Sequence, residues 1–359
     1  MRVLFDHQIM GTQTRGGVSR YFCELLSALR RDDLAEVRLP RIYADNEHFR
    51  PLLPAPPVLQ PVLRTIRRAK PARKVVESVW RRARARLNQR ASVQALRRQD
   101  FDVFHPTYYD PYFLDPLGKK PFVLTIHDMT HEIYPESFNP GDPTRERKAL
   151  LARAAARIIA ISAATKSDIV RYLDVDPGKI EVIHLANSLT GESEELAVPT
   201  RYVLYVGGRG RRYKNFADFL LAFAKLASAL PDLHLICVSP KDFDRAELGL
   251  LRRLGLEDRC VSLPANDRQL AFLYEHASLF VYPSLCEGFG LPILEAFASR
   301  CPVALSYTSC LPEIAGEAAL YFDPADVSSI ERALATAFFD PASCQTLIQR
   351  GQERLKRFS

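Results

Sequence analysis

The stretch Tyr202-Val-Leu-Tyr-Val-Gly-Gly-Arg-Gly-Arg-Arg-Tyr-Lys-Asn-Phe216 decides the fold. A strand runs into glycines, a loop then carries four cations, and a helix begins; in open α/β sheets ligands bind at such junctions, beyond the carboxyl ends of strands. Glycines let a backbone approach a phosphate closely, the N–H groups at a helix start favour an anion, and Arg209 and Lys214 could neutralise a diphosphate. The spacing fits neither the G-x-G-x-x-G fingerprint nor a P-loop. Taken alone, the segment reads equally well as a solvated basic turn.

Working outward, strands and helices alternate on both sides of it. Downstream, strands are expected at His234 to Val238, Val261 to Leu263, Leu279 to Tyr282, Pro302 to Leu305 and Leu320 to Phe322. Helices separate them, from Asn215 to about Leu230, Asp244 to Leu254, Asp267 to His276 and Pro292 to Ser299, with more from Val327 and Pro341 onward. Upstream, strands are expected at Arg2 to Phe5, Val37 to Tyr43, Val103 to His105, Phe122 to Ile126, Arg157 to Ile161 and Ile180 to His184. Ser162 should cap a helix running through Tyr172. This alternation is the pattern of βαβ units and a parallel sheet, occurring twice. The acidic stretch from Thr190 to Pro199 is the best linker, giving one domain over 1–190 and a second over 199–340, with a C-terminal helix at about 341–359 that can pack back on the first.

Length and composition agree. At 359 residues the chain fits two ordinary domains, and 47% apolar with 25% charged residues is a globular balance. No apolar run is long enough to span a bilayer, and Asp6 comes too early for a signal peptide, so a cytoplasmic protein is expected. The seven cysteines lack CxxC spacing, which suggests neither a disulfide framework nor a zinc site. The net charge of +7 is concentrated: thirteen Lys or Arg and only Glu77 as an acid lie between Arg64 and Arg98. An anionic neighbour is implied.

The second motif is Tyr282-Pro-Ser-Leu-Cys-Glu-Gly-Phe-Gly-Leu-Pro-Ile-Leu-Glu-Ala-Phe297. Another strand ends in a turn holding Gly288 and Gly290, and Pro292 takes a first helical position. Glu287 in the loop and Glu295 in the first helical turns could accept hydrogen bonds from paired hydroxyls, of a sugar ring and of a ribose respectively. At this point the chain resembles the retaining glycosyltransferases of family 4, with the GT-B fold. The resemblance is carried by Glu287-Gly-Phe-Gly-Leu-Pro-Ile-Leu-Glu295, the Gly207 to Asn215 loop, Leu311-Pro-Glu-Ile-Ala-Gly316, Thr125-Ile-His-Asp128 and Gly16-Gly17-Val-Ser-Arg-Tyr21. These matches cover most of the chain and are weakest between Asp45 and Gln99.

The resemblance implies two doubly wound Rossmann-like domains facing each other across a cleft, and hexose transfer from a nucleotide sugar to a glycan or lipid-linked saccharide. The sugar is taken as mannose-type and the donor as GDP-mannose or a UDP-sugar, in cell-surface polysaccharide or O-antigen synthesis. Arg209 and Lys214 match cations that hold the donor diphosphate and stabilise the departing nucleotide, work that a metal does in other transferases. Glu287 matches the carboxylate facing the donor sugar and Glu295 the one binding the ribose. Gly207, Gly208, Gly288 and the backbone of Phe289, Gly290 and Leu291 would lie against phosphates and sugar. His127 matches a histidine near the reacting carbon, and Gly16 and Gly17 the acceptor-side loop. No cofactor and no metal are expected, the nucleotide sugar being a co-substrate.

Plainer readings stand beside these. His127-Asp128 could be a helix cap and a satisfied histidine. Asp100-Phe-Asp102, Asp174-Val-Asp176 and Asp242-Phe-Asp244 resemble metal-holding pairs but sit where capping suits better. Glu313 could cap its helix or reach the base region of a nucleotide. Tyr108, Tyr109, Tyr112 and Phe113 suit sugar stacking or packing on their own domain. A dehydrogenase would need the glycine fingerprint that residues 11–17 lack. A nucleic-acid-binding protein would use the basic segment, which has Trp80 as its only aromatic residue and no reading motif. That segment, interrupted by Pro71 and preceded by an extended Pro51 to Pro61 run, reads as basic helix suited to an anionic membrane surface, at the inner face of the cell membrane, or as a solvated face packed on the first domain.

Overall fold

The computed structural model describes every residue except 15, 41, 44–45, 47, 50–72, 190–191 and 359. The expected Pro51 to Pro61 run and the basic residues before Pro71 therefore lie outside the described residues. The chain forms two compact units that do not follow chain order: the first comprises 1–126, 141–160 and 169–181, the second 127–140, 161–168 and 182–359.

In the first unit β1 (Arg2–Phe5) pairs in parallel with β2 (Glu36–Arg38) and β3 (Val103–His105). A parallel bridge from Phe104 to Phe122 continues to β4 (Val123–Ile126), which pairs in parallel with β5 (Arg157–Ala160), followed at the sheet edge by β6 (Ile180–Val182). The expected strand from Val37 to Tyr43 is cut short at Arg38 because Pro40 has no N–H to give the ladder. The connecting helices are α1 (Gln8–Thr12), α2 (Gly17–Arg31), α3 (Arg73–Arg97) and α4 (Thr144–Ala154), while α5 (Ala163–Leu173) begins among the residues of the second unit and ends among those of the first. Basic helix α3 starts two residues after Pro71 and buries Asn88, Ser92 and Leu96, an i, i+4, i+8 stripe, while Val79 and Leu87 stay exposed. Its packed seam is thus largely polar rather than the apolar face expected from its valines and leucines.

The second unit holds one fully parallel sheet in the order β12-β11-β10-β7-β8-β9. Its strands are β7 (Tyr202–Val206), β8 (His234–Val238), β9 (Cys260–Leu263), β10 (Leu279–Tyr282), β11 (Val303–Ser306) and β12 (Leu320–Phe322). Alternation along β7 sends Tyr202 and Leu204 into one core and Val203 and Tyr205 into the other. Helices cover both faces, so the strands read as unbroken apolar runs. They are α6 (Phe216–Ala229), α7 (Arg245–Leu254), α8 (Asp267–His276), α9 (Leu291–Ala298), α10 (Leu311–Ala315), α11 (Val327–Phe339) and α12 (Pro341–Leu355). The C-terminal helix α12 belongs to this second unit. There Gly351 lies against the Phe297 ring, and Arg354 donates to the carbonyls of Ile314 (2.9 Å) and Glu313. Among the described residues no helix is long and apolar enough to cross a membrane.

Candidate functional site

The site is built where β7 and β10 end. Beyond Val206 the backbone turns at Gly207, whose φ of 131° suits glycine, and no atom lies within 4 Å of a side chain placed at Gly208 or Gly210. A short 3₁₀ turn over Arg212–Lys214 follows, and Asn215 adopts a left-handed φ of 54° before α6 begins at Phe216. Asn215, expected inside that helix, is therefore its cap; its side chain donates to Pro324 O at 2.8 Å and ties the loop down.

Of the four cations of this loop, Arg212 is exposed and the other three are engaged. Lys214 Nζ donates to Glu287 Oε1 at 2.6 Å, joining the two motifs read from the sequence. Burial opposes the charge on Lys214, but Glu287, with Tyr213 and Asp128 nearby, outweighs it and holds the ammonium above its usual range. Arg209 is 7% exposed. Its Nε donates to Glu247 Oε1 at 3.0 Å, its Nη2 to Lys241 O at 3.0 Å, and its plane lies 4.6 Å from the Phe243 ring centroid. The remaining Nη1 is buried and has no hydrogen-bond partner among the described residues. Arg211 sits 4.1 Å over the Phe138 ring and donates to Ser137 O. The loop is thus held in place, not a freely solvated basic turn.

On the other side, the turn after β10 is shaped by close approach. A Cβ at Gly288 would overlap the carbonyl oxygen of His127, with the His127 carbonyl carbon only 2.8 Å away. Gly288 O accepts from Ser162 Oγ at 2.7 Å and Thr165 Oγ1 at 3.1 Å. Ser162 also caps α5 as expected, accepting from Thr165 N at 3.0 Å. Gly290, with φ 98°, turns the chain into α9, where Leu291 and Pro292 are the first helical residues. Phe289 is buried and its carbonyl faces Cys310 Sγ. Burial, aided by Glu287, pushes the Tyr282 phenol well above its usual range.

Two expected site residues are placed in ways the sequence did not show. Glu295 is buried, and its Oε2 accepts from Tyr274 OH at 3.1 Å. Glu313 does not cap its own helix: its carboxylate accepts from the N–H groups of Ala163 (2.8 Å) and Ala164 (3.1 Å) at the start of α5, and faces His184 Nε2 at 2.8 Å. Gly16 and Gly17 belong to the first unit, where they open α2 and Gly16 O accepts from Ser19 Oγ. Glu247 was missed as a site residue. Its capping box with Asp244 is legible in the sequence, but its grip on Arg209 is not.

Both members of the first Asp-x-Asp pair, and the second member of each of the other two, make structural contacts. Asp100 and Asp102 bind Arg2 at 2.5 and 2.8 Å, Asp176 caps the turn at Gly178, and Asp244 caps α7. None of the seven cysteines is in a disulfide, and all but Cys23 are buried.

The profile described as "Glycosyltransferase Family 4" matches residues 15–186, and that of "Glycosyl transferases group 1" matches 192–354. The O-antigen chain mannosyltransferase B of Escherichia coli is 30% identical over 291 residues, covering 76% of this chain and 74% of that one. An MMP alpha-(1->4)-mannosyltransferase of Mycolicibacterium hassiacum is 29% identical, covering 74% and 68%. Among solved structures, the sucrose-phosphate synthase of Thermosynechococcus elongatus superposes with a TM-score of 0.73 at 20% identity, covering 99% of this chain and 94% of that one. Anabaena HepE, solved with UDP and glucose, superposes at 0.69 with 19% identity, covering 99% and 95%.

Proposed function

The chain belongs to glycosyltransferase family 4, and we propose that it moves a mannose-type hexose, with retention, from a nucleoside diphosphate sugar to a glycan or lipid-linked saccharide. The observation that carries the reading is the junction of Lys214 with Glu287. A cation able to meet a departing diphosphate and a carboxylate able to take sugar hydroxyls are held 2.6 Å apart at the ends of neighbouring strands. Mannose as the sugar is supported by the named activities of the relatives, and GDP-mannose or a UDP-sugar is the donor to test first.

In this mechanism the bond from the sugar's anomeric carbon to the leaving phosphate oxygen breaks, and the acceptor hydroxyl bonds to the same face. Its proton passes to the leaving oxygen, so no protein base is needed. Lys214 and the unspent Nη1 donor of Arg209 stabilise charge that grows on the diphosphate, which matters most in the transition state. Glu287 orients the sugar, Glu295 the ribose, and the Gly288 to Leu291 backbone, pinned against His127, sets their spacing. Gly207 and Gly208 leave room for the phosphates, while Gly16 and Gly17 serve the acceptor side. Turnover then needs no cofactor and persists in EDTA. The exposed arginines of α3 suit work at the inner membrane face, where a lipid-linked acceptor resides.

A panel of nucleotide sugars tested for thermal stabilisation identifies the donor, since a ligand at a hundredfold excess over its Kd adds about 2.7 kcal/mol. Stabilisation by one nucleoside diphosphate sugar, followed by transfer with the anomeric configuration kept, supports the reading. No stabilisation by any of them overturns it.

A further inference from the structure

A cavity of about 330 Å³ opens within the first unit, between α1, α3, α4 and the segment 108–112. It lies at the small end of the range for small-molecule sites. Its walls are braced by an ion pair and by hydrogen bonds among the lining groups and their neighbours. Asp110 Oδ2 faces Arg147 Nη1 at 2.9 Å, and its backbone N–H donates to Gln8 Oε1 at 2.7 Å. Gln8 in turn donates to the buried Asp6 at 2.8 Å, which also accepts from Tyr112 OH at 3.0 Å. The amide of Asn88 closes on the backbone of Tyr43 at 2.8 and 2.9 Å and fixes α3 over the opening.

Charge and shape then select the ligand. Arg81 and Arg84 from α3 and Arg147 from α4 line the cavity against one carboxylate, that of Asp110. Burial lowers the His7 imidazole below its ordinary value, so it is neutral at pH 7 and adds nothing. The charged part of the lining is therefore cationic by two. Guanidinium groups are planar forks matched to phosphate oxygens. Beside them stand Tyr108, Tyr109 and Tyr112, with the first two rings 4.7 Å apart, and the buried Lys148 backs Tyr109 at 5.5 Å from its centroid. Aromatic faces beside guanidinium forks suit a sugar ring that carries a phosphate.

Building on the glycosyl-transfer reading above, we propose that this cavity is the acceptor subsite and takes a phosphate-bearing saccharide, its phosphate on Arg81, Arg84 and Arg147 and its ring on the tyrosines. The phosphate can belong to a soluble sugar phosphate or to the diphosphate of a lipid-linked saccharide. The basic residues of α3 then serve substrate binding as well as solubility or a membrane surface.

The test is isothermal titration of the full chain with three probes: glucose 1-phosphate, glucosyl diphosphofarnesol in detergent, and uncharged methyl glucoside. Nucleoside diphosphates are titrated alongside. At least one phosphorylated probe should bind about tenfold or more tightly than methyl glucoside, and Arg147→Gln or the exposed Arg81→Gln should each remove most of that preference. A soluble source makes glucose 1-phosphate the better ligand, and a lipid carrier the farnesyl compound. If nucleoside diphosphate binds but both phosphorylated probes bind no better than methyl glucoside, or both variants keep the preference, the acceptor assignment is overturned and glycosyl transfer stands. If the wild-type protein binds no nucleoside diphosphate, the transfer reading falls and this assignment with it.

Discussion

Replacing Gly288 with Ala is the sharpest test of how the site is assembled. The added methyl would overlap the His127 carbonyl oxygen, and Asp128 Cβ stands 3.2 Å away, so relief cannot come from a rotating side-chain tip. The loop cannot slide off either, because Gly288 O is pinned by the hydroxyls of Ser162 and Thr165 at 2.7 and 3.1 Å. One backbone must therefore move by about 1 Å or more to restore van der Waals distance. Overpacking of this kind costs about 1–3 kcal/mol, a fall in Tm of roughly 2–12 °C for a unit of this size. The displacement also reaches Glu287 and Phe289 on either side, and a misplacement of about 1 Å near the chemistry costs on the order of a hundredfold in rate. The assay is Tm by circular dichroism together with kcat for nucleoside diphosphate release. Gly249→Ala serves as control: it lies inside α7 with no atom within 4 Å of the new Cβ and should gain about 0.5–1 kcal/mol. A Gly288→Ala protein with wild-type Tm and kcat would refute the reasoning.

Lys214→Ala or Arg209→Ala should depress kcat by about two to three orders of magnitude with a smaller change in KM; full turnover by the double variant would remove the diphosphate assignment. The ammonium of Lys214 is held above its ordinary 10.5, so its contribution to stability is complete below that pH and is lost as pH rises through the higher folded value. Wild-type Tm should therefore fall more steeply than that of Lys214→Met above about pH 10.5, and parallel curves would contradict a stabilising, partly buried ion pair. Vesicles of anionic lipid should co-sediment the protein at low salt and release it at high salt, whereas absence of binding at either leaves the exposed arginines of α3 as a solvated surface.

What the sequence determined is local. Strand β7 spans the five residues that its apolar run predicts, because a strand covered on both faces leaves an unbroken apolar signature. Asp244 and Ser162 act as the helix caps their positions suggest, and Gly290 and Pro292 mark the start of α9, since turn and cap chemistry depends on neighbours within a few residues. Even β2, read too long, was cut by a proline in plain view. The tertiary structure alone decided which charges meet. Arg209 reaches Glu247, Lys214 reaches Glu287 and Glu313 reaches the start of α5, each across tens of residues or more, and Gly288 is required by a carbonyl in another part of the chain. No periodicity encodes such pairings, because they follow from how packed layers bring strand ends together; a carboxylate's partner is set by that packing, not by its place in a motif.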